Sequence, residues 1–428
     1  GNGSSEKLWK PPPNRGFVPC IRPSAAYANP SSSRGYLVVH ANGGLNQMIA
    51  GICDMVAIAR ILNATLVIPT LDKHSFWQDT STFSDVFDEN HFINSLVNDV
   101  KVIKKLPKKA SNSAQLAMSF RSWSGADYYE QVVARMWDKY PVIRAKKSDS
   151  RLANNNLPPD IQKLRCRACY EALRFAPKIE AMGKILVDRT KSFGRYIALH
   201  LRFEKDMLAF SGCTHDLSAE EAEELKTVRE STTWWKVKDI DPLEQRAKGF
   251  CPLTPNEVGI FLKALGFSST TPVYIAAGEI YGGESRMRDL RARFPLLVNK
   301  EKLASPVELE PFTNHASQLA ALDYLVSVDG DVFVPTYSGN MARAVEGRRR
   351  FSGHRTTITP DRQVLMKNFR FFWVFGEGRN VSHRIYELHR RRRGSPRKRK
   401  GPRSGTKGKD RFRSEDTFYS NPLPDCLC

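Results

Sequence analysis

Short apolar runs punctuate this chain, each closed by a polar or glycine-rich turn, and stretches with a 3.6-residue hydrophobic period separate them. Tyr36-Leu37-Val38-Val39-His40 predicts a strand, and Ala41-Asn42-Gly43-Gly44-Leu45-Asn46-Gln47 a turn. Met48, Ile52, Met55, Val56 and Ala59 then predict a helix, and 65–69 a second buried strand. Strand, turn, helix, strand is a βαβ unit with a parallel sheet. Residues 160–192 read as helical, with Pro177 dividing two helices. They lead into Tyr196-Ile197-Ala198-Leu199, a doubly buried strand that runs out onto His200-Leu201-Arg202-Phe203-Glu204.

Residues 210–248 are polar, carry Trp234-Trp235, and predict an excursion with helices rather than sheet. Thr254 and Pro255 open a helix that Gly266 ends. A strand over 272–277 closes on Gly278-Glu279, and helices follow over 285–293 and 315–326. The strand Val332-Phe333-Val334-Pro335 meets Thr336-Tyr337-Ser338-Gly339-Asn340, which opens a helix over 341–347. Residues 72–150 hold Phe76, Trp77, Phe83, Phe87, Trp123, Tyr128, Tyr129 and Trp137. Most of these belong in a core; periodicity does not separate core aromatics from any that line a sugar site.

At 428 residues, 41% hydrophobic and 26% charged, the chain holds two globular domains. It divides into a stem or linker (1–33), an N-terminal α/β domain (34–192), a C-terminal α/β domain (193–365) and a basic tail (366–428). Charge sharpens that division. From Arg384 to Arg413 fourteen Lys/Arg face only Glu387 and Asp410, so +12 of the net +21 sits there. Pro and Gly interrupt the run, which holds one aromatic, Phe412, and no recognition fold, so a polyanion-binding or solvated tail is expected and not a nucleic-acid partner. No run of about 20 apolar residues spans a membrane. A membrane is expected only through an N-terminal anchor outside this chain.

Eight cysteines fit an oxidising compartment. Cys166-Arg-Ala-Cys169 has no second CxxC, which favours structural disulfides over a redox or zinc site; the pairing stays open. Asn2, Asn63 and Asn380 open glycosylation sequons.

Three strand–turn–helix junctions carry the candidate chemistry. Ligands of open α/β sheets bind outside the carboxyl ends of the strands. Gly43-Gly44 admits close backbone approach, and the helix start after it favours an anion. His200-Leu201-Arg202 offers an always-ionised guanidinium with bidentate geometry, although a strand-end Arg in a structural ion pair is the plainer alternative. Ser338-Gly339-Asn340 repeats the phosphate-friendly turn. Together they favour a nucleotide or nucleotide sugar in a cleft between two α/β domains. The absence of a Walker A lysine motif speaks against a P-loop NTPase.

Gly43-Gly44-Leu45-Asn46-Gln47, His200-Leu201-Arg202 and the segment 331–340 resemble the protein O-fucosyltransferase-like glycosyltransferases. HLRFEKDMLAFSGC (200–213), YIAAGEIYGGES (274–285), SGNMARAVEG (338–347) and NPLPDCLC (421–428) resemble more closely the plant branch that includes the rhamnogalacturonan I rhamnosyltransferases. NFRFFWVFGEG (368–378) departs from that pattern. The resemblance implies an α/β GT-B architecture, two Rossmann-like domains facing a cleft, 34–192 on the acceptor side and 193–365 for the nucleotide sugar, and inversion with no cofactor and no metal. It implies that Arg202 contacts the donor diphosphate and neutralises the departing nucleotide. His200 and Leu201 belong to the same pocket, while Gly43, Gly44, Asn46 and Gln47 line the cleft from the N-terminal domain. Ser338, Gly339 and Asn340 would hold phosphate, and Glu279 would meet the base or ribose. Glu204, Asp206 and Glu279 are candidates for the base on the acceptor hydroxyl, with Glu204 taken as catalytic.

The expected partners are UDP-rhamnose or GDP-fucose and an acidic polysaccharide acceptor, and the expected location is the Golgi lumen. Two alternatives remain open: a GDP-fucose O-fucosyltransferase on protein or another glycan, and a non-enzymatic lectin-like scaffold. Asp329-Gly330-Asp331 also matches the metal-holding DxD tripeptide; the plainer reading is a turn before the strand at Val332.

Overall fold

The computed structural model describes residues 2–74, 78–153, 157–353, 355–375, 379–396 and 426–428. Phe76, Trp77 and most of the basic run, from Arg397 onward, lie outside the described residues. Ten strands among those described form two five-stranded, wholly parallel sheets. In chain order they are β1 (Tyr36–Val39), β2 (Thr65–Val67), β3 (Val102–Ile103), β4 (Gln115–Met118), β5 (Val142–Ala145), β6 (Ile197–His200), β7 (Val273–Ala276), β8 (Leu297–Val298), β9 (Val332–Pro335) and β10 (Thr356–Thr357). The first sheet runs β3-β2-β1-β5-β4 and the second β10-β9-β6-β7-β8.

Each sheet starts at its centre and winds out to one side before the other. Strand order therefore reverses beside β1 in the first sheet and beside β6 in the second, and such switch points open crevices at the strands' carboxyl ends. This is the GT-B arrangement of two Rossmann-like domains. The helix Leu45–Leu62 follows β1; it is apolar enough to cross a membrane by composition, but it is mostly buried as a core helix. It packs against the helix Asn340–Phe351 of the second domain, and Pro177–Lys191 packs against Ala316–Asp329, where Gly183 sits against Leu325. One apolar cluster, including Leu37, Ile143, Leu186, Leu322 and Phe333, consequently runs through both domains.

The two ends of the chain are folded onto the domains. Residues Asn2–Trp9 form a helix with Leu8 buried; Trp9 meets Phe267 edge-on at 5.4 Å, and Glu6 pairs with Arg195 at 2.6 Å. Residues 2–9 thus behave as part of the second domain and not as a free stem. The second domain also runs past 365. Helices Arg362–Phe375 and Arg379–His389 bury Leu365, Phe369 and Ile385 in its core, which accounts for the apolar start of the departing segment. Cys426 and Cys428 close the chain onto the first domain by disulfides to Cys166 and Cys20. Cys53–Cys169 and Cys213–Cys251 complete four bridges, so Cys166 and Cys169 each staple a distant segment and not one another.

Of the sequons, Asn63 is committed to the fold: its Nδ2 donates to Ser31 Oγ at 2.9 Å and to the Ser32 carbonyl at 2.7 Å. Asn380 is exposed.

Candidate active site

The two switch points face a single cleft of about 1220 Å³. Beyond β6 the chain stays extended, so alternate side chains point to opposite faces. Leu201 and Phe203 turn into the second core, whereas His200, Arg202 and Glu204 line the cleft. Of the residues named from sequence, Leu201 is therefore core and does not line the cleft.

Arg202 is clamped. Its Nη1 donates to Glu204 Oε1 at 2.6 Å and to Asp206 Oδ1 at 3.0 Å, and its Nη2 to Asp206 Oδ2 at 2.7 Å. Its backbone N–H donates to Thr336 Oγ1 at 3.0 Å, and that hydroxyl donates to the His200 carbonyl at 2.9 Å. Burial opposes the guanidinium charge, but Glu204 and Asp206 hold it firmly protonated. Burial likewise raises the Glu204 carboxyl, against the pull of Arg202, and its other oxygen accepts the Gly278 N–H at 3.0 Å. That contact needs glycine, since a Cβ at Gly278 would stand 2.5 Å from Glu204 Oε2.

His200 hydrogen-bonds the Ala276 carbonyl through Nδ1 at 3.1 Å, a contact that requires the proton on Nδ1 and leaves Nε2 as an acceptor. Burial, helped by the Arg202 charge, lowers its pKa from 6.5 to about 4, so the ring is neutral near pH 7. The unfolded chain therefore takes up a proton first as pH falls. Stability held above pH 6.5 is lost as pH drops toward 4, by about 3 kcal/mol. Denaturant titrations should show this acid loss in the native chain and its absence in His200→Gln; equal slopes for the two would assign it elsewhere.

The opposite wall belongs to the loop after β1. Asn42 Nδ2 and Gln47 Nε2 donate to Asp149, at 2.5 and 3.0 Å, joining this loop to the end of β5. Gly43 has φ +89°, a conformation that favours glycine, and its N–H donates to Asp72 at 2.8 Å. Asn46 is buried in the cleft wall, and its Oδ1 has no hydrogen-bond partner among the described residues. Such an atom is costly unless a ligand or water satisfies it.

Two helix N-termini also reach the cleft. Gly44 starts Leu45–Leu62 and Gly339 starts Asn340–Phe351, and neither carries a side-chain cap. Some helices elsewhere are capped, by Ser218, Asp241 and Thr254 among others, whereas Pro177–Lys191 and Ala316–Asp329 are not. Uncapped first turns leave backbone N–H groups and the positive end of the helix dipole for an anion. Gly339 and Asn340 line the cleft; Ser338 is exposed and does not. The inward hydroxyl of that turn is Thr336, which sequence reasoning passed over. Glu279 lines the rim and is exposed. Asp329 and Asp331 lie at the amino end of β9, the far edge from the cleft. Asp331 accepts the Tyr196 N–H at 2.9 Å, and Asp329 pairs with Arg355 at 3.0 Å. No cluster of three metal-ligating side chains occurs among the described residues.

The profile of the family described as GDP-fucose protein O-fucosyltransferase matches residues 36–352, a span that takes in strands β1 to β9 and the whole cleft. The chain belongs to this family. It is 67% identical over 428 residues to O-fucosyltransferase 7 of Arabidopsis thaliana, covering 99% of this chain and 75% of that protein. It is 48% identical over 406 residues to rhamnogalacturonan I rhamnosyltransferase 1 of the same plant, covering 93% and 79%. A crystal structure of POFUT1 in complex with GDP-fucose aligns at 12% identity with a TM-score of 0.45, covering 78% of this chain and 99% of that one. The protein is a glycosyltransferase of the O-fucosyltransferase family.

The aromatics singled out in 72–150 do not line the cleft where they are described; Phe83, Phe87, Tyr129 and Trp137 are core. Among the described residues, the Phe, Tyr and Trp side chains of the cleft are Phe210, Trp234 and Trp235, from the excursion.

Proposed function

We propose that this chain moves a 6-deoxy-L-hexose from a nucleotide sugar to a glycan acceptor with inversion and without a metal. The observation that carries this is the Arg202 guanidinium, locked by two carboxylates at the end of β6 in a cleft that also receives two uncapped helix N-termini. A departing diphosphate gains charge in the transition state, and donors fixed beforehand stabilise it where it develops. Phosphate takes the place of Asp206 on Nη2 while Glu204 keeps Nη1 aimed, which brings the guanidinium onto the donor. Asn46, Gly43, Gly44 and Gln47 close the other wall, Gly339 and Asn340 hold phosphate, and Glu279 at the rim meets the base or ribose. Neutral His200 offers an acceptor nitrogen beside the diphosphate.

For the donor and acceptor we favour rhamnose from UDP-rhamnose onto galacturonate of the rhamnogalacturonan I backbone. Near-complete coverage by relatives named for that activity supports it, as does the basic run, which suits a polyanionic acceptor. Four disulfides suit the Golgi lumen. The name of the 67%-identical relative supports a second reading, O-fucosyl transfer from GDP-fucose to protein or another glycan. A screen of both donors against pectic oligosaccharides and peptides tests the choice: rhamnosylation of a galacturonate end supports the first, and fucosyl transfer alone replaces it with the second.

Metal independence is testable separately. Turnover should survive EDTA, because Arg202 and the helix N-termini supply the positive charge. Loss on chelation with recovery on Mn²⁺ would overturn this part of the reading.

A further inference from the structure

The excursion between β6 and β7 builds a feature that the transfer chemistry at Arg202 does not use. The helix Lys205–Ser211 carries Asp206, which clamps Arg202, in its first turn and Phe210 at its far end. Phe210 is 49% exposed and Trp234 62%, yet both line the cleft, and Phe210 meets Trp235 edge-on at 5.4 Å. Large exposed aromatics in a cleft are unusual unless something covers them.

Their support is rigid. Cys213–Cys251 closes the excursion at its base. Buried Arg229 donates through Nε to the Lys238 carbonyl at 2.9 Å and through Nη1 to the Ala209 carbonyl at 3.0 Å. Lys238 Nζ donates to the Arg229 carbonyl at 2.9 Å and the Thr232 carbonyl at 2.5 Å. These bonds brace the tryptophan turn against the helix that bears Phe210. The exposed rings are held in place by buried charge and a covalent bridge, as a surface built to bind would be.

We infer that Trp234, with Phe210 and Trp235, forms a stacking platform for a pyranose ring of the acceptor glycan. This rests on the glycosyl-transfer reading above. A pyranose presents an apolar C–H face that an aromatic ring covers well, while its hydroxyls stay in water. Position favours the acceptor over the donor's base. The diphosphate is drawn inward to Arg202 and the helix N-termini, whereas Phe210 and Trp234 line the cleft while staying largely exposed, as a surface for a long entering chain would. A base held there would keep much of one face in solvent.

The test uses Trp234→Ala and Trp234→Phe in the whole chain. The alanine variant should raise the acceptor KM about five- to tenfold, the loss of one aromatic contact. Phe should restore most of it, and calorimetric affinity for UDP and GDP should not move. Intrinsic tryptophan fluorescence should respond saturably to acceptor oligosaccharides without nucleotide, and Trp234→Ala should remove most of that response. Weakened nucleotide binding with acceptor use intact would overturn the proposal and assign the platform to the base. No change in either would overturn it as well. If the pectic acceptor fails in turnover, a fluorescence response to another glycan, lost in Trp234→Ala, still supports the platform while the rhamnosyl reading falls.

Discussion

Arg202→Lys is expected to reduce turnover at least about 100-fold while the chain still folds. The guanidinium spans two carboxylates, with contacts of 2.6, 3.0 and 2.7 Å. One ammonium keeps the charge but presents no planar fork, so it cannot satisfy both carboxylates or offer two parallel donors to a diphosphate. Removing one preorganised donor from a developing oxyanion costs about 3 kcal/mol, which sets the size of the effect. Folding should persist because the Arg202 side chain is 17% exposed to the cleft and a lysine ammonium keeps one positive charge beside the two carboxylates. Single-turnover rates beside a thermal melt check both halves. A folded Lys variant with near-native rates would take Arg202 out of the chemistry.

How far the sequence reached follows from where each residue sits in its sheet. Strands β2, β6, β7 and β9 are buried on both faces and β1 is buried on one and half-buried on the other, so all five stand out as continuous apolar runs. β3, β8 and β10 are two-residue edge pairs, too short to leave a pattern. β5 is central yet interrupts its apolar residues with exposed Arg144, which hides it. The site was legible as far as backbone turns could show it: Gly43-Gly44, His200-x-Arg202 and Gly339-Asn340 meet as expected. Side-chain direction was less legible. Leu201 differs from its neighbours only in strand parity, and Ser338 and Thr336 are hydroxyls two residues apart of which the inner one bonds Arg202. The pairings of Asn42 and Gln47 with Asp149 join residues about a hundred positions apart, and no local spacing encodes them.

Glu204→Gln should cost about 100-fold in glycosyl transfer and a similar factor in donor hydrolysis to water, the scale of a misplaced catalytic group. A general base should abstract a proton with a free lone pair on the acceptor side. Glu204 instead has one oxygen on Arg202 at 2.6 Å and the other on the Gly278 N–H at 3.0 Å. Both partners are donors. A glutamine must turn its NH₂ toward one of them, leaving either the guanidinium or the loop after β7 without its acceptor. The predicted role is therefore positioning: Glu204 aims Arg202 and ties the loop bearing Glu279 to the end of β6. Transfer and hydrolysis both depend on an aimed Arg202, so they should fall in parallel, with the pH–rate profile unchanged in shape. A base would behave differently. Its loss would suppress transfer alone, spare hydrolysis and erase the acidic limb of the profile, and that result would return Glu204 to the acceptor hydroxyl.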